Sequence, residues 1–330
     1  MFPPYYSSGM LRRRRFRLAL LGSLLYLGTC VLGGIFVADA TLHPARRLLS
    51  DADETAARVS MSDVASGFDD VSVTTEDRVV LRGWLLRPRI GNGGLVLVLH
   101  GLADNRVGML GYARLFLSHG FGVVLPDARA HGASGGTIAT YGLLEKNDIR
   151  AWFEFLESRE PPRCIFGFGE SMGAAQLLQS LSAGVNFCAL AVESPFANFR
   201  EIAYDRVGQA LHLGPWIGRT LLRPLVEVAF WRTQWKYGAN MREISPEYSA
   251  RAVRVPILLV HGVVDSNIPV RHSRRIHDHA PGTALWEVPG ADHCGAISVA
   301  PQEFEKRVVD WFVAHDARIE ISSTAPKMLN

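Results

Sequence analysis

Residues 164–181 have the sequence CIFGFGESMGAAQLLQSL, and this stretch decides the fold. Its first part is an apolar run typical of a buried strand, and its second part has the apolar spacing of a helix. Gly169, Ser171 and Gly173 form a G-x-S-x-G motif between the two. In a strand–turn–helix context this motif predicts a nucleophilic serine on a sharp turn, with the amides of the next helix facing developing negative charge.

Similar apolar runs recur on both sides of this motif. They lie at 68–75, 78–88, 95–100, 121–126, 188–193, 256–262 and 284–288. Segments with helical spacing alternate with them, at 106–119, 143–158, 172–181, 270–279 and 303–315. This alternation predicts an α/β fold with a mostly parallel, doubly wound sheet of eight strands, in a domain that covers 67–316.

One interval, 196–252, breaks the alternation, because it is far longer than the usual loop of 2 to 6 residues. It is rich in aromatic residues and glycine, and we interpret it as a helical lid inserted into the domain. Trp216, Trp231 and Trp235 are its candidate substrate-pocket residues. The alternative is an extra pair of packing helices without a role at the site.

A serine nucleophile needs a base and a group that orients the base. His293 lies in a polar turn after the last predicted strand, and Asp265 follows the strand at 256–262. The order Ser171, Asp265, His293 matches the order of a hydrolase triad on this kind of sheet. Glu193, at the end of the preceding strand, competes with Asp265 for the acid role, and His261 is interpreted as a packed residue.

An oxyanion site would complete this machinery. The segment after the strand at 95–100 supplies one backbone N–H in this arrangement, and the residue after the nucleophile supplies the other. We therefore predict that the backbone amides of Leu102 and Met172 hold the oxyanion. No metal or other cofactor is expected. His272, His277 and His279 share one predicted helix, where a solvated face is the favoured interpretation.

The N-terminus carries a separate signal. Residues 18–38 form 21 uncharged, mostly apolar residues directly after Arg12, Arg13, Arg14, Arg15 and Arg17. A helix of that length crosses a hydrocarbon core of about 30 Å. We predict a basic cytoplasmic segment at 1–17, a transmembrane signal anchor at 18–40, a linker at 41–66 and a tail at 317–330. The positive-inside rule then places the domain on the extracytoplasmic side.

Other export signals remain open. A cleaved signal peptide is the main alternative, because residues 38–40 form an A-x-A site. Residues 13–16 faintly resemble a twin-arginine signal, and residues 27–30 resemble a lipoprotein cleavage box. Each of these readings also places the domain outside the cytoplasm.

The net charge of +3 does not by itself exclude a nucleic-acid-binding protein, so its distribution along the chain must be considered. The five N-terminal arginines account for it, and the rest of the chain carries a net charge of −2, so the sequence does not indicate a nucleic-acid surface. Cys164 and Cys188 begin two predicted neighbouring strands. A disulfide between them is conceivable, but two buried free thiols are the favoured expectation.

Several motifs together resemble one family. HGLADNR (100–106), PDARAHGASGG (126–136), GFGESMGAA (167–175), ESPFANFRE (193–201), HGVVDSNIP (261–269) and GADHCG (290–295) are similar to motifs of the α/β-hydrolase superfamily. The closest similarity is to its membrane-anchored branch, related to monoacylglycerol lipases and serine aminopeptidases. Ala130 departs from the glycine that such proteins commonly have in the D-x-R-G-H-G turn, whose Asp127, Arg129 and His131 we interpret as organising the loop.

These features predict a serine hydrolase of the carboxylesterase or lipase kind. It would cleave carboxylic esters with apolar acyl or lipid-like groups through an acyl-enzyme on Ser171. A serine aminopeptidase or amidase is the first alternative, in which lid acids would hold a substrate ammonium. The candidate acids are Glu201, Asp205, Glu227, Glu243 and Glu247. A non-catalytic binding protein is the second alternative. The sequence leaves the oligomeric state open.

Overall fold

The computed structural model describes residues 8–159, 162–212, 214–252 and 254–316. The predicted tail at 317–330 and the first seven residues of the chain lie outside this part. The chain forms two compact units. One contains the N-terminal helix and residues 203–239, and the other contains residues 42–202 together with residues 240 onward.

The second unit is built on one eight-stranded sheet in the order β1-β2-β4-β3-β5-β6-β7-β8. The strands are β1 (Ala65–Thr74), β2 (Val80–Pro88), β3 (Gly94–Leu99), β4 (Gly122–Pro126), β5 (Cys164–Glu170), β6 (Leu190–Glu193), β7 (Ile257–Gly262) and β8 (Thr283–Val288). β1 and β2 pair antiparallel, β2 pairs antiparallel with β4, and all other neighbours are parallel. The predicted fold class is confirmed.

Twelve α helices accompany the strands within the described residues. They are α1 (Ser8–Leu42), α2 (Asp51–Met61), α3 (Leu110–Ser118), α4 (Glu145–Arg159), α5 (Met172–Ser180), α6 (Phe199–Ala210), α7 (Pro215–Arg219), α8 (Arg223–Tyr237), α9 (Pro246–Arg251), α10 (Arg271–His279), α11 (Ala296–Val299) and α12 (Pro301–Ala314). Short 3-10 turns occupy Arg106–Met109, Leu181–Ala183 and Met241–Glu243.

The sheet is buried on both faces, which explains why its strands are apolar throughout. In β3, Val96 and Val98 belong to one core cluster, whereas Leu97 and Leu99 belong to the other. Successive side chains of a strand point to opposite faces, so each face needs its own apolar set. β3 therefore contributes side chains to both hydrophobic cores, one on each face of the sheet.

The chain order makes a crevice at the carboxyl end of β3. From β3 the chain moves to β4 on one side, and it then returns to β5 on the other side. Ligand sites in open α/β sheets form where the order reverses in this way. Ser171 follows β5 directly and is therefore placed at this reversal point.

The segment 41–66, predicted as a linker, differs from that expectation. Its residues Asp51–Met61 form helix α2, which begins with a reciprocal capping box between Ser50 and Asp53. Ala57 and Met61 are buried in the same core cluster as Trp84. The polar composition reflects a helix with one narrow buried face, so much of this segment belongs to the folded unit.

Helix α1 contains a segment, Arg12–Leu42, that is long and apolar enough to cross a membrane. Its most apolar part has a mean hydropathy of 2.0, and only 11% of that part is buried. Signal sequences pass the same test of length and composition, whereas a core helix of a soluble domain would be mostly buried.

Cys164 and Cys188 form a disulfide, so the expectation of two free thiols is wrong. Their Cα atoms are 5.8 Å apart, within the range that a disulfide spans. The bond is possible because β5 and β6 are neighbours, and the N–H of Cys188 donates to the carbonyl of Ile165. Cys30 and Cys294 remain free.

We predict that replacing the disulfide by Cys164→Ser and Cys188→Ser lowers the free energy of unfolding by about 3 kcal/mol. The bond closes a loop of 24 residues, and the reduced unfolded chain regains that loop's freedom. Denaturant unfolding measures the change. Thiol titration of the unfolded wild type should find two thiols without reductant and four with it. Four thiols in both conditions would contradict the disulfide.

Candidate active site

Ser171 is held on a strained turn between β5 and α5. Its φ is 51° and its ψ is −108°, a conformation that a residue with a side chain rarely adopts. The flanking glycines are required by space. A Cβ on Gly169 would lie 2.7 Å from the carbonyl carbon of Gly173, and a Cβ on Gly173 would lie 2.5 Å from the oxygen of Leu99. The turn is thus packed directly against the end of β3.

The structure brings Ser171, His293 and Asp265 together from three distant parts of the chain. His293 Nε2 lies 2.9 Å from Ser171 Oγ, and His293 Nδ1 lies 2.9 Å from Asp265 Oδ2. The His293 side chain is 20% exposed, whereas that of Asp265 is fully buried. A continuous chain of hydrogen bonds therefore leads from the partly open serine hydroxyl to a buried carboxylate.

Asp265 is fixed by its surroundings as an anion. Its Oδ1 accepts the backbone N–H groups of Asn267 and Ile268, at 2.9 and 2.7 Å. His261 Nε2 lies 3.2 Å from its Oδ2. Burial alone would raise the pKa of Asp265, but the hydrogen bonds from His261 and His293 hold that pKa well below its usual range.

His261 also contributes to this site, although its apolar strand sequence predicts only a packed residue. It is buried, as expected, but its Nε2 faces both the Ile268 carbonyl and Asp265. Its Nδ1 lies 2.7 Å from Ser273 Oγ, so Ser273 holds the ring in a fixed orientation. The only sequence signal was its spacing of four residues from Asp265.

The loops that carry Asp265 and His293 are joined by a second carboxylate. Asp292 Oδ1 accepts the N–H groups of Ser266 and His293, both at 2.8 Å. A Cβ on Gly262 would lie 2.2 Å from the oxygen of Ala291. Glycine at the end of β7 therefore permits the close approach that aligns the imidazole with its acid.

The two predicted oxyanion donors flank the serine. Within the described residues, the backbone N–H groups of Leu102 and Met172 donate to no protein atom. A Cβ on Gly101, the neighbour of Leu102, would lie 3.8 Å from Ser171 Cβ. Both N–H groups are thus available as donors near the serine, and their role as an oxyanion site stays a prediction.

Two buried histidines shape the segment that contains Leu102. His100 Nε2 accepts from the N–H of Ala128 at 3.0 Å, and His131 Nε2 accepts from the N–H of Ala103 at 3.3 Å. Burial lowers the pKa of both imidazoles, so both are neutral and can accept at Nε2. They connect the segment 100–103 to the loop after β4.

The loop after β4 is held by internal contacts, in agreement with the interpretation of its motif. Asp127 accepts the N–H groups of Arg106 and Ala133, at 2.8 and 2.7 Å. Arg129 Nε donates to Asp148 at 2.7 Å. Ala130 has a φ of 61°, which explains why similar turns favour glycine at this position.

Two acids, the half-buried Glu170 and the fully buried Glu193, lie behind the serine and the histidine loop. Tyr112 Oη donates to Glu170, and it lies 3.3 Å from Glu193 Oε2. Glu193 Oε1 accepts the N–H of Ala296 at 2.8 Å. Burial raises the pKa of Glu170 to about 7 and that of Glu193 to about 8. Glu193 therefore supports the histidine loop from behind, and it is Asp265 that faces the imidazole.

The three tryptophans predicted for a substrate pocket belong to the other compact unit. Trp216, Trp231 and Trp235 have exposed fractions of 69, 56 and 67%. Trp231 and Trp235 stack on each other, with ring centroids 5.5 Å apart. Their assignment to a pocket stays a prediction.

Several known proteins are similar to this chain. Among curated proteins, the uncharacterized protein YqkD of Bacillus subtilis is 29% identical over 222 residues, which cover 66% of this chain and 70% of YqkD. The uncharacterized protein YfhR of Escherichia coli K12 is 25% identical over 256 residues, which cover 74% of this chain and 81% of YfhR.

Among solved structures, the Pyrococcus furiosus esterase Pf2001 superposes with a TM-score of 0.65 at 25% identity. The match covers 83% of this chain and 98% of that esterase. Residues 95–307 match the family model described as "Alpha/beta hydrolase family", which spans the strands and loops that carry all three residues of the hydrogen-bond chain. This chain belongs to the alpha/beta hydrolase family.

Proposed function

We propose that this protein is a membrane-anchored serine hydrolase that cleaves carboxylic esters. The observation that carries the proposal is the chain of two 2.9 Å contacts from Ser171 through His293 to Asp265. A weak hydroxyl nucleophile needs a base within hydrogen-bond reach, and the base needs an oriented tautomer. Both conditions are met at one position.

In the proposed reaction, His293 Nε2 takes the proton of Ser171 while Oγ attacks the ester carbonyl. Asp265 keeps the proton on Nδ1 and stabilises the imidazolium that forms. His293 then gives its proton to the leaving alcohol as the carbon–oxygen bond breaks, which leaves an acyl-enzyme on Ser171. Water, activated by the same imidazole, releases the carboxylic acid and restores the hydroxyl.

The free N–H groups of Leu102 and Met172 support the second element of the proposal. The tetrahedral intermediates carry a negative oxygen, and fixed donors outside bulk water stabilise it strongly. Loss of one such donor costs about 10²–10³ in rate in related chemistry. Because both donors are backbone groups, their side chains need no chemical function.

An ester substrate is favoured over an aminoacyl amide. An aminopeptidase needs a carboxylate free to bind an ammonium group. Four of the candidate acids already have partners in the protein: Asp205 with Arg219, Glu227 with Tyr204, Glu243 with Asn240, and Glu247 with Arg275. The similarity to an esterase of known structure points the same way.

We also propose that α1 anchors the protein and that the unit that contains the sheet, residues 42–202 and 240 onward, lies outside the cytoplasm. We call it the hydrolase unit. The low burial of α1 disfavours a soluble core helix. The arginines before the apolar segment favour a cytoplasmic N-terminus. The disulfide between Cys164 and Cys188 fits an oxidising compartment, where such bonds persist.

We expect a fluorophosphonate probe to label the wild-type protein and to leave Ser171→Ala unlabelled. The probe reacts only with a serine whose hydroxyl is activated by a base. Ser266→Ala is the matched control and should label like the wild type, because its exposed hydroxyl donates to the carboxylate of Asp292. A wild type that stays unlabelled would support the non-catalytic alternative instead.

Asp265→Asn should lower kcat for a soluble ester by about 10³–10⁴, because the amide favours the wrong tautomer of His293. The amide oxygen can still accept from Asn267 and Ile268, so the fold should persist. Asp292→Asn is the control, since Asp292 contacts the backbone N–H of His293 and not its ring. We expect it to lose roughly tenfold or less. Equal losses in both variants would refute the assignment of Asp265.

Glu193→Gln should make stability less sensitive to a rise in pH between about 4.3 and about 8. Because burial raises the pKa of Glu193 to about 8, the folded protein keeps a proton that the unfolded chain releases above about pH 4.3. The free energy of unfolding therefore falls as pH rises between these two values. The neutral amide removes this loss and can still accept from Ala296.

Thermal unfolding at pH 5.5 and pH 8.5 measures the effect. Between these values the wild-type midpoint should fall further than that of Glu193→Gln, by roughly 2–4 °C for each kcal/mol lost. Glu287→Gln, at a half-buried carboxylate whose pKa is lowered by its pairing with Arg274, is the control and should follow the wild type. Parallel curves for wild type and Glu193→Gln would show that Glu193 is already ionised at neutral pH.

A further inference from the structure

The second half of α1 differs from its first half in having one protein-facing side. From residue 26 onward, every fourth residue is partly or fully buried: Tyr26, Cys30, Gly34 and Ala38. Leu25, Leu32 and Phe36 on the other sides are at least 72% exposed. A long apolar helix that has one side covered by protein and exposed apolar side chains elsewhere is suited to contact lipid on its uncovered sides.

The covered side of α1 meets helix α8 at very close range. A Cβ on Gly34 would lie 2.6 Å from the backbone oxygen of Leu225 and 2.7 Å from Val228 Cβ. A Cβ on Gly33 would lie 2.8 Å from the Leu225 side chain. Small residues at such a contact let two backbones approach closely, as in pairs of helices within membranes.

Polar contacts fix the level of α8 along α1. Asp39, the first acid after the apolar segment, accepts from Tyr237 Oη at 2.7 Å. Lys236 Nζ and Arg232 Nη2 lie 3.3 and 3.5 Å from its carboxylate. The carboxyl-terminal half of α8 thus lies level with the end of the apolar segment, and Leu225 and Val228 lie level with residues inside it.

The exposed surface of α8 at this level is aromatic and basic. Trp231 and Trp235 lie one turn apart, stack face to face with 5° between their planes, and have more than half of their surface exposed. They alternate with Arg232 and Lys236, the residues paired with Asp39. Tryptophan is enriched where a membrane protein crosses from hydrocarbon to headgroups, and basic side chains attract anionic lipid there.

We propose that helix α8 is seated in the lipid bilayer beside α1. Leu225 and Val228 lie in the outer part of the hydrocarbon, and the Trp231–Trp235 stack lies at the membrane–water interface. The occupant of this exposed surface is the bilayer itself, with anionic headgroups near Arg232 and Lys236. The inference rests on the proposed membrane anchor and is independent of the proposed ester chemistry. It gives two of the predicted pocket tryptophans a role in lipid contact.

Quenching of tryptophan fluorescence by brominated phosphatidylcholine tests this arrangement. The full chain is reconstituted into vesicles of phosphatidylcholine and phosphatidylglycerol and isolated by flotation. Bromines near the headgroup end of the acyl chain should quench more than bromines near its terminus. The double variant Trp231→Phe, Trp235→Phe should lose roughly half or more of that quenching.

Trp286→Phe is the matched control, because Trp286 is 8% exposed within the hydrolase unit. It should keep the quenching of the wild type. Protein that floats with vesicles but whose quenching is unchanged in the double variant would overturn the seating of α8 and leave the anchor intact. Protein that fails to float would overturn the anchor and this inference together. Neither readout uses turnover, so a failed esterase assay is distinguishable from both.

Discussion

The close packing of the Ser171 turn against the end of β3 is the constraint on which the site depends. Gly173 has room for no Cβ, because Leu99 and His100 oxygens lie within 2.8 Å of where it would be. This contact starts α5 beside the segment 100–102 and forces Ser171 into its positive φ. The packing of Gly173 against β3 therefore exposes the Ser171 hydroxyl and places two backbone N–H groups near it. The backbone strain is compensated by the two buried cores.

The carboxyl end of β6 holds Ser171 and the loop that carries His293 in fixed positions relative to each other. The N–H of Ser171 donates to the Glu193 carbonyl at 2.9 Å. The Glu193 carboxyl and the Ser194 hydroxyl accept N–H groups of the histidine loop, from Ala296 and Cys294. A buried carboxyl without a cation is costly when ionised, and its raised pKa avoids that cost. A neutral acid also keeps the field at His293 dominated by Asp265.

The sequence predicted what depends on local pattern and chain order. Eight apolar runs and the G-x-S-x-G turn identified the sheet and the position of Ser171, because the conformation of a strand or a turn depends mainly on the residues within it. Helix α2 was missed, since only Ala57 and Met61 of its residues are buried. The Cys164–Cys188 bond and the contacts of Glu193 with Tyr112 and Ala296 depend on which distant segments become neighbours. Spacing along the chain does not contain that information.

Two unrelated features support the proposal that the hydrolase unit lies outside the cytoplasm. The arginines before the apolar segment favour a cytoplasmic N-terminus when the helix inserts into the membrane. A disulfide persists in an oxidising compartment and is rare in the cytosol. The disulfide lies between β5 and β6, the strands that support Ser171 and its loop neighbours. Because Cys164 is the first residue of β5 and Cys188 precedes β6, the bond joins the two strands at the edge of the sheet opposite Ser171, so oxidation stabilises the folded sheet rather than the local geometry around Ser171.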